Sequence, residues 1–281
     1  MKRFVSVSGG KSSAYVAANY PSDYLVFALV TSSDPLVKFP DAKLRQVVSD
    51  KIGRDFVGTL EEDTIIHTML DLEQHLGREI SWVVGDTFDD VVQYKGGWLP
   101  NVLHRYCTTE MKMRPIFRWW HETIGEPAEV LIGFRSGEER RANKMMEKCN
   151  SDGILEFKDV VGKHASGRNM WATLPWQKPI FPMIEDGIRR DAVHQYWTTR
   201  PVRFAERNNC VGCFHRNPIL LRLMFEQHPE KMEWFARQEE KPGKGRWQSD
   251  QTYRQIQKHK TQLTLMDLDG FSDCDTGYCG L

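Results

Sequence analysis

The feature that most constrains the fold is a pair of glycines that directly follows an apolar run at the start of the chain. Phe4, Val5 and Val7 predict a short buried strand, and residues 12–19 predict a helix. The turn between them reads Ser-Gly-Gly-Lys-Ser-Ser. Glycines leave room for backbone N–H groups to close around a phosphate, and the helix dipole and Lys11 add positive potential there. We therefore predict a phosphate-binding loop formed by Ser8, Gly9, Gly10, Lys11, Ser12 and Ser13. The alternative is an ordinary connection between a strand and a helix.

Predicted strands and helices alternate along the rest of the chain. Apolar runs predict strands at 24–30, 80–84 and 130–134, and helical spacing predicts helices at 41–52, 63–76 and 115–124. Residues 151–173 predict a long loop, followed by a helix at 187–196. This alternation predicts an α/β fold with a doubly wound, mostly parallel sheet.

The composition changes near residue 200. We expect residues 1–200 to form a nucleotide-binding α/β domain and residues 201–281 a small, cysteine-containing region rich in loops and helices. Helices are predicted there near 218–227 and 249–266, and the region looks too loop-rich for an independent core.

The composition also narrows the compartment and the class of protein. Among 281 residues, 38 basic and 38 acidic side chains balance, so the whole molecule is not a polyanion binder by net charge, although a basic patch is expected around 135–144. No signal peptide and no apolar run of about 18 residues is present, which predicts a cytoplasmic protein and no membrane partner. Six cysteines in such a reducing compartment favour metal or redox chemistry over structural disulfides.

Two cysteines are spaced as metal ligands. Cys210 and Cys213 form a C-x-x-C segment in which Gly212 permits a tight turn. Zinc and iron–sulfur clusters normally need about four protein ligands, or three with one open position. We predict Cys107 as the third; the fourth ligand could be Cys279, Cys274 or His215, or the position could be open for a substrate sulfur. The alternatives are a redox dithiol or simple packing.

Two arginines follow a predicted strand. Arg135 and Arg141 are expected to contact phosphate oxygens, since a guanidinium offers paired donors. The acidic residues Glu61, Glu62 and Asp63 are interpreted as the first turn of a helix and not as a catalytic pair. The segment around Trp176 is expected to pack.

The loop resembles the PP-loop of the adenine nucleotide alpha-hydrolase superfamily, whose usual form is Ser-Gly-Gly-x-Asp-Ser. Ser12 stands where that superfamily has an acid that helps to hold magnesium in ATP-cleaving members. The replacement points to the phosphoadenosine phosphosulfate (PAPS) reductase-like family. Further segments resemble that family in the same order: Cys107 with Lys112, the Arg135–Arg141 segment, Cys210 with Cys213, and a C-terminal Cys279-Gly-Leu. The preceding glutamate and terminal histidine usual in the tail are missing, and Thr108 replaces one of two adjacent cysteines.

The resemblance implies a function and its cofactors. It implies an adenine nucleotide (ATP, PAPS or adenylyl sulfate), a [4Fe-4S] cluster or zinc held by Cys107, Cys210 and Cys213, and magnesium in an ATP-cleaving enzyme. In sulfonucleotide reduction, Cys279 would attack the sulfur, assisted by Lys112, and an external thiol would resolve the adduct. In sulfur transfer, the nucleotide would activate an acceptor that receives sulfur from a donor. Such proteins are frequent in phages and mobile elements, so a nucleic acid is one candidate for the acceptor of the sulfur. The remaining alternatives are a non-catalytic nucleotide-binding module with a zinc knuckle and an α/β protein with a degenerate loop.

Overall fold

The protein is described here by a computed structural model, which describes residues 1–207, 210–241 and 245–258. Its strands are β1 (Arg3–Val7), β2 (Tyr24–Leu29), β3 (Thr31–Ser32), β4 (Gly58–Thr59), β5 (Ser81–Val84), β6 (Ala128–Leu131), β7 (Leu155–Lys163) and β8 (Asn169–Ile180).

The helices are α1 (Lys11–Asn19), α2 (Ala42–Ile52), α3 (Thr64–Leu76), α4 (Phe88–Tyr94), α5 (Tyr106–Thr108), α6 (Arg114–Thr123), α7 (Glu139–Met146), α8 (Pro182–Glu185), α9 (Arg190–Thr198), α10 (Pro218–Gln227), α11 (Pro229–Glu240) and α12 (Tyr253–Lys258). Local chemistry explains several of their boundaries. Asp41 caps α2 by accepting the backbone N–H groups of Lys43 and Leu44. Asn217 caps α10 in the same way, and Pro218 occupies a first-turn position that needs no N–H donor.

Six strands form one sheet in the order β5-β2-β1-β6-β8-β7. β1 is parallel to β2 and to β6, β6 is parallel to β8, and β7 is antiparallel to β8. The α/β class and the mostly parallel sheet are thereby confirmed, and the arrangement is compatible with a Rossmann-like fold. β1 is central, with the next strand in the chain on one side and β6 on the other, which is the position where ligands bind in open α/β sheets.

The apolar runs in the sequence correctly predicted the central strands, and the helical spacing correctly predicted several helices. The predicted strands at 4–7 and 24–30 correspond to β1 and β2, most of whose residues are buried. The helices predicted at 41–52, 63–76 and 218–227 match α2, α3 and α10 within one residue. The strand predicted at 130–134 begins earlier, as β6, and the helix predicted at 187–196 begins later, as α9.

The loop predicted for residues 151–173 is wrong. That segment forms most of the β7–β8 hairpin. Its strands alternate exposed and half-buried residues, because only one face of the distal hairpin is covered, and the register shifts near Val160 and Gly162. Sparse apolar residues and scattered glycines obscure the period of two. The sequence analysis also missed α11.

The chain divides into two compact units. The first comprises Met1–Ala28, Met69–Val83 and Arg114–Arg203, and the second comprises Leu29–Thr68, Val84–Met113 and the described residues from Phe204 onward. The sequence instead placed a single boundary near residue 200. The second unit has its own apolar core, to which early residues such as Val30 and Phe88 contribute together with Phe235 and Trp247. The C-terminal region therefore shares a core with two earlier segments.

Within the described part of the chain, no helix is both long and apolar enough to cross a membrane.

Candidate functional site

The predicted phosphate loop lies between β1 and α1 in the first unit. Gly9 has a φ of +80°, a conformation that favours glycine. Gly10 is the N-cap of α1 and offers no capping side chain. The first turn of a helix carries backbone N–H groups without intrahelical acceptors, which can be satisfied by an anion. The first turn of α1 contains no acidic residue, so its N-terminal potential is not offset from within the turn.

Ser13 holds the loop closed. Its hydroxyl accepts a hydrogen bond from the Ser8 backbone N–H at 3.1 Å and donates to the Gly10 carbonyl oxygen at 3.1 Å. The side chain of Ser13 is buried, and the indole of Trp197 donates to the Lys11 carbonyl oxygen at 2.9 Å. The loop conformation is therefore fixed by the protein's own contacts.

Gly133 brings a second loop against the first. A Cβ on Gly133 would lie 2.9 Å from the Ser13 backbone nitrogen and 3.0 Å from the Ser12 carbonyl carbon. Both neighbours are backbone atoms, so they cannot move aside as a flexible side chain can. Since β1 and β6 are parallel neighbours, the loops that follow them lie at one edge of the sheet. The segment that leads from Gly133 to Arg135 thus begins beside the candidate phosphate loop.

The two predicted arginines share one carboxylate. Glu138 Oε2 accepts from the backbone nitrogen and Nε of Arg135 at 2.9 and 3.0 Å, and Oε1 accepts from Arg141. Burial would raise the pKa of Glu138, but the hydrogen bonds and charges of Arg135 and Arg141 hold that pKa below its usual value. Arg141 also lies over the ring of Phe134, at 4.2 Å from its centroid. Glu138 offsets part of the basic patch expected at 135–144 and orients both guanidiniums.

A separate cavity in the second unit brings the predicted cysteines together. Cys107, Cys210 and Cys213 all line it, together with Lys112 and His215. The remaining wall is mostly apolar, with contributions from Val30, Phe88, Met111, Phe214, Phe235 and Trp247. All three cysteines are half-buried. Cysteines from two distant parts of the chain thus line one largely apolar cavity.

The cavity is small. Its volume is about 40 Å³, enough for roughly three water-sized groups on the scale where one water needs at least 10–15 Å³. A nucleotide does not fit in this volume, but a single ion or an anion of a few atoms does.

Hydrogen bonds from two distant side chains support the C-x-x-C turn. The hydroxyl of the fully buried Tyr253 donates to the Gly212 carbonyl oxygen at 2.9 Å. Gln248 Nε2 donates to the carbonyl oxygens of Phe214 and Arg216 at 3.0 and 2.7 Å. These supporting residues were missed by the sequence analysis, because nothing in a lone Gln or Tyr marks it as a partner of a distant turn.

Gly212 lies in the turn between the two cysteines and also packs against a buried ring. A Cβ at this position would lie 2.5 Å from two ring carbons of Phe235. Close packing against the buried ring therefore requires glycine here.

Lys112, which lines the cavity, forms an ion pair with the buried Glu61. Its Nζ lies 2.8 Å from Glu61 Oε1, and the two side chains are 12% and 1% exposed. Residues 109–113 form a π-helix, a rare geometry that occurs often at functional sites. Lys231, also buried, donates to the Glu61 carbonyl oxygen at 2.5 Å and to Asp63 Oδ1 at 2.8 Å.

The acidic turn at 61–63 therefore differs from a solvated helix start. It does precede α3, but Glu61 and Glu62 are buried. Burial raises the pKa of Glu62, although Arg216 and Arg207 lie near enough to oppose the rise. Glu61 was missed as a partner of Lys112 because acidic residues at helix starts are usually exposed.

The cysteines supply suitable donor atoms for zinc or an iron–sulfur cluster, but their arrangement does not form a ready site. Among residues 1–207, 210–241 and 245–258, no group of three or more His, Cys, Asp or Glu side chains is placed to hold a metal ion. Cys274 and Cys279 lie outside the described residues. The metal set Cys107, Cys210 and Cys213 and the catalytic role of Cys279 stay predictions.

Comparison of the chain with models of known protein families, with curated proteins and with solved structures gave no match.

Proposed function

We propose that the protein is a PAPS reductase-like enzyme that binds an adenine nucleotide at the Ser8–Ser13 loop and carries out sulfur chemistry with its cysteines. The observation that carries this proposal is that Cys107, Cys210, Cys213 and Lys112 all line one cavity. The sequence predicts the three cysteines as one thiol site, and the resemblance pairs Cys107 with Lys112.

The loop of the first unit supports the nucleotide part of the proposal. A helix N-terminus without a capping side chain, a left-handed Gly9 and the adjoining Gly133 segment suit a phosphate group. Arg135 and Arg141, oriented by Glu138, would contact further phosphate oxygens.

Sulfonucleotide reduction is favoured over ATP-driven sulfur transfer. The first turn of α1 has no carboxylate that could hold magnesium near a cleaved phosphate. In the proposed reaction, the Cys279 thiolate attacks the sulfonate sulfur and the nucleotide leaves as its phosphate. An external thiol then attacks the sulfur of the S-sulfocysteine, which releases sulfite and leaves Cys279 in a mixed disulfide with that thiol. A second thiol reduces this disulfide and restores Cys279.

The central experiment combines binding and turnover. Full-length protein purified without oxygen is titrated calorimetrically with ATP, PAPS and adenylyl sulfate, and sulfite release is measured with dithiothreitol. We expect saturable binding of at least one sulfonucleotide and sulfite release. The absence of binding to all three compounds would overturn the proposal.

A pair of cysteine variants tests the nucleophile. We expect Cys279→Ser to reduce sulfite release by at least about a thousandfold with unchanged nucleotide affinity, since a serine hydroxyl is a far weaker nucleophile than a thiolate. Cys149→Ser is the matched control, because burial raises the pKa of the Cys149 thiol and it is placed outside the proposed chemistry. Equal activity of the two variants would exclude Cys279.

Metal analysis separates the proposal from its rival. Stoichiometric zinc with no turnover of any sulfonucleotide would favour a non-catalytic nucleotide-binding module. Iron and acid-labile sulfide, lost in Cys107→Ser, would assign a cluster to the cavity.

A further inference from the structure

We propose that the β7–β8 hairpin binds single-stranded nucleic acid, with Trp171 stacking on a base and Lys158, Lys163 and Arg168 contacting phosphates. This inference stands independently of nucleotide binding at the Ser8–Ser13 loop.

The hairpin extends beyond its neighbouring strand. β8 pairs with β6 over residues 177–180, whereas residues 169–175 pair with β7. Among the residues that the structure describes, the distal hairpin is therefore a two-stranded ribbon without a further neighbouring strand at residues 169–175.

The two faces of the ribbon differ. On the inner face, Asp159 is fully buried and accepts hydrogen bonds from Arg114 and Arg118, and the Phe157 ring lies 5.0 Å from that of Phe117. These contacts attach the ribbon to α6. Side chains alternate along a strand, so the neighbours of these residues point the other way.

The outer face is left to solvent. The pairs Lys158–Thr173 and Val160–Trp171 lie on this face, and Trp171 is 53% exposed. The exposed indole contributes little burial energy to folding and is accessible to a ligand.

The ribbon also concentrates positive charge. Lys158, Lys163 and Arg168 are exposed, and residues 160–173 contain no acid. The single acid of the distal ribbon, Asp159, is neutralised by two arginines. Glu156, at the base, accepts a hydrogen bond from Asn150. Since the whole chain has no net charge, this excess is local.

The combination favours a single strand over an acidic peptide or a duplex. Cations alone would suit any polyanion, but an exposed indole among them matches a chain that alternates phosphates with flat bases. Base faces are available for stacking in single strands and are hidden within a duplex.

The experiment measures fluorescence anisotropy of labelled 20-nucleotide DNA and RNA strands, and of the matching duplex, in about 50 mM salt where phosphate contacts are strong. The variants are Lys163→Glu with Arg168→Glu, and Trp171→Ala. The matched control reverses the charge of two exposed lysines outside the hairpin, Lys38→Glu with Lys43→Glu. Circular dichroism verifies that each variant is folded.

We expect the wild type to bind single strands more tightly than the duplex. The hairpin charge reversal should weaken binding at least tenfold and flatten its salt dependence, and Trp171→Ala should weaken it at least fivefold. The affinity of the control variant for single strands should fall less than twofold. Calorimetric affinity for adenine nucleotides should be unchanged in all variants, which separates this inference from the proposed function.

Three results would overturn the inference. The first is that the wild type binds no single strand, and the second is that the control variant loses as much affinity as the hairpin variant. The third is that Trp171→Ala binds as tightly as the wild type while heparin competes, which would indicate adsorption of any polyanion.

Discussion

At the scale of single residues, two glycines matter because other groups occupy the space beside them. Gly212 lies against the Phe235 ring and Gly133 against the backbone of Ser12 and Ser13. Both positions stand out in the sequence, but the close contact of Gly212 with Phe235 does not. Contacts between residues distant in sequence cannot be deduced from a local motif.

Gly212→Ala should destabilise the protein. Its methyl group would overlap the fully buried Phe235 ring, and overpacking costs about 1–3 kcal/mol. Urea unfolding measures the loss. Gly162→Ala is the control, because its nearest neighbour is the flexible end of Met170 at 3.1 Å. A Gly212→Ala variant as stable as the control would contradict the packing seen around the C-x-x-C turn.

Gly133→Ala should weaken nucleotide binding at least tenfold, because the added methyl group must displace the backbone of the proposed phosphate loop. Calorimetric titration with the preferred nucleotide measures the effect. Gly162→Ala again serves as the control. Unchanged affinity at position 133 would mean that the Ser8–Ser13 loop does not hold the nucleotide.

At the scale of elements, charged networks join helices that the sequence predicted poorly. Glu233 of α11 binds Arg254 of α12 through two hydrogen bonds of 2.6 and 2.7 Å and also binds Arg237 at 2.8 Å. The hydrogen bonds to Arg254 and Arg237 lower the pKa of Glu233 to about 2. This bidentate geometry fixes α12 on α11.

Glu233→Gln should lower stability at pH 7 by up to about 1 kcal/mol, since the pair is partly exposed. Because the folded pKa is depressed, the wild-type advantage is complete above the ordinary pKa of 4.5 and is lost as the pH falls towards 2. Thermal unfolding at pH 7, 4 and 3 measures the narrowing difference. Glu226→Gln, which removes one i,i+4 pair with Arg222, should have a smaller effect. A constant difference across this pH range would contradict the role of the Glu233 charge.

The elements differ in how visible they are in the sequence. β1 and β2 are buried on both faces and show as apolar runs, and α2 and α10 carry capping residues at their starts. The β7–β8 hairpin shows only a weak alternation of apolar and polar residues, since one of its faces is exposed. α11 contains buried Lys231 and Gln238, so its apolar face is incomplete. The cysteine group was predictable from residue type, whereas the Glu61–Lys112 pair depends on burial that no pattern shows.

At the scale of the whole molecule, the chain enters each unit in three segments. The core of the second unit takes Val30, Phe88 and Leu99 from the first half of the chain and Trp234 and Tyr253 from its end. The composition change near residue 200 marks the start of the last segment of the second unit. The two earlier segments of that unit show no such change in composition.

A chain ending at Arg203 should therefore not be stable as a whole. It keeps every segment of the first unit but loses α10, α11 and α12, which cover the apolar residues of the second. We expect strong binding of a hydrophobic dye and a melting temperature below that of the full-length chain. Cooperative melting without dye binding would instead support the single boundary near residue 200.

This interlacing sets an order of events on the ribosome. Synthesis proceeds from the amino end at about 5–20 residues per second, so every segment of the first unit exists several seconds before α12 is made. During that interval Cys107 and its apolar neighbours await the residues that will enclose them. We expect Cys107, one of the three cysteines that line the cavity, to be more accessible to oxidants in this interval than in the finished protein.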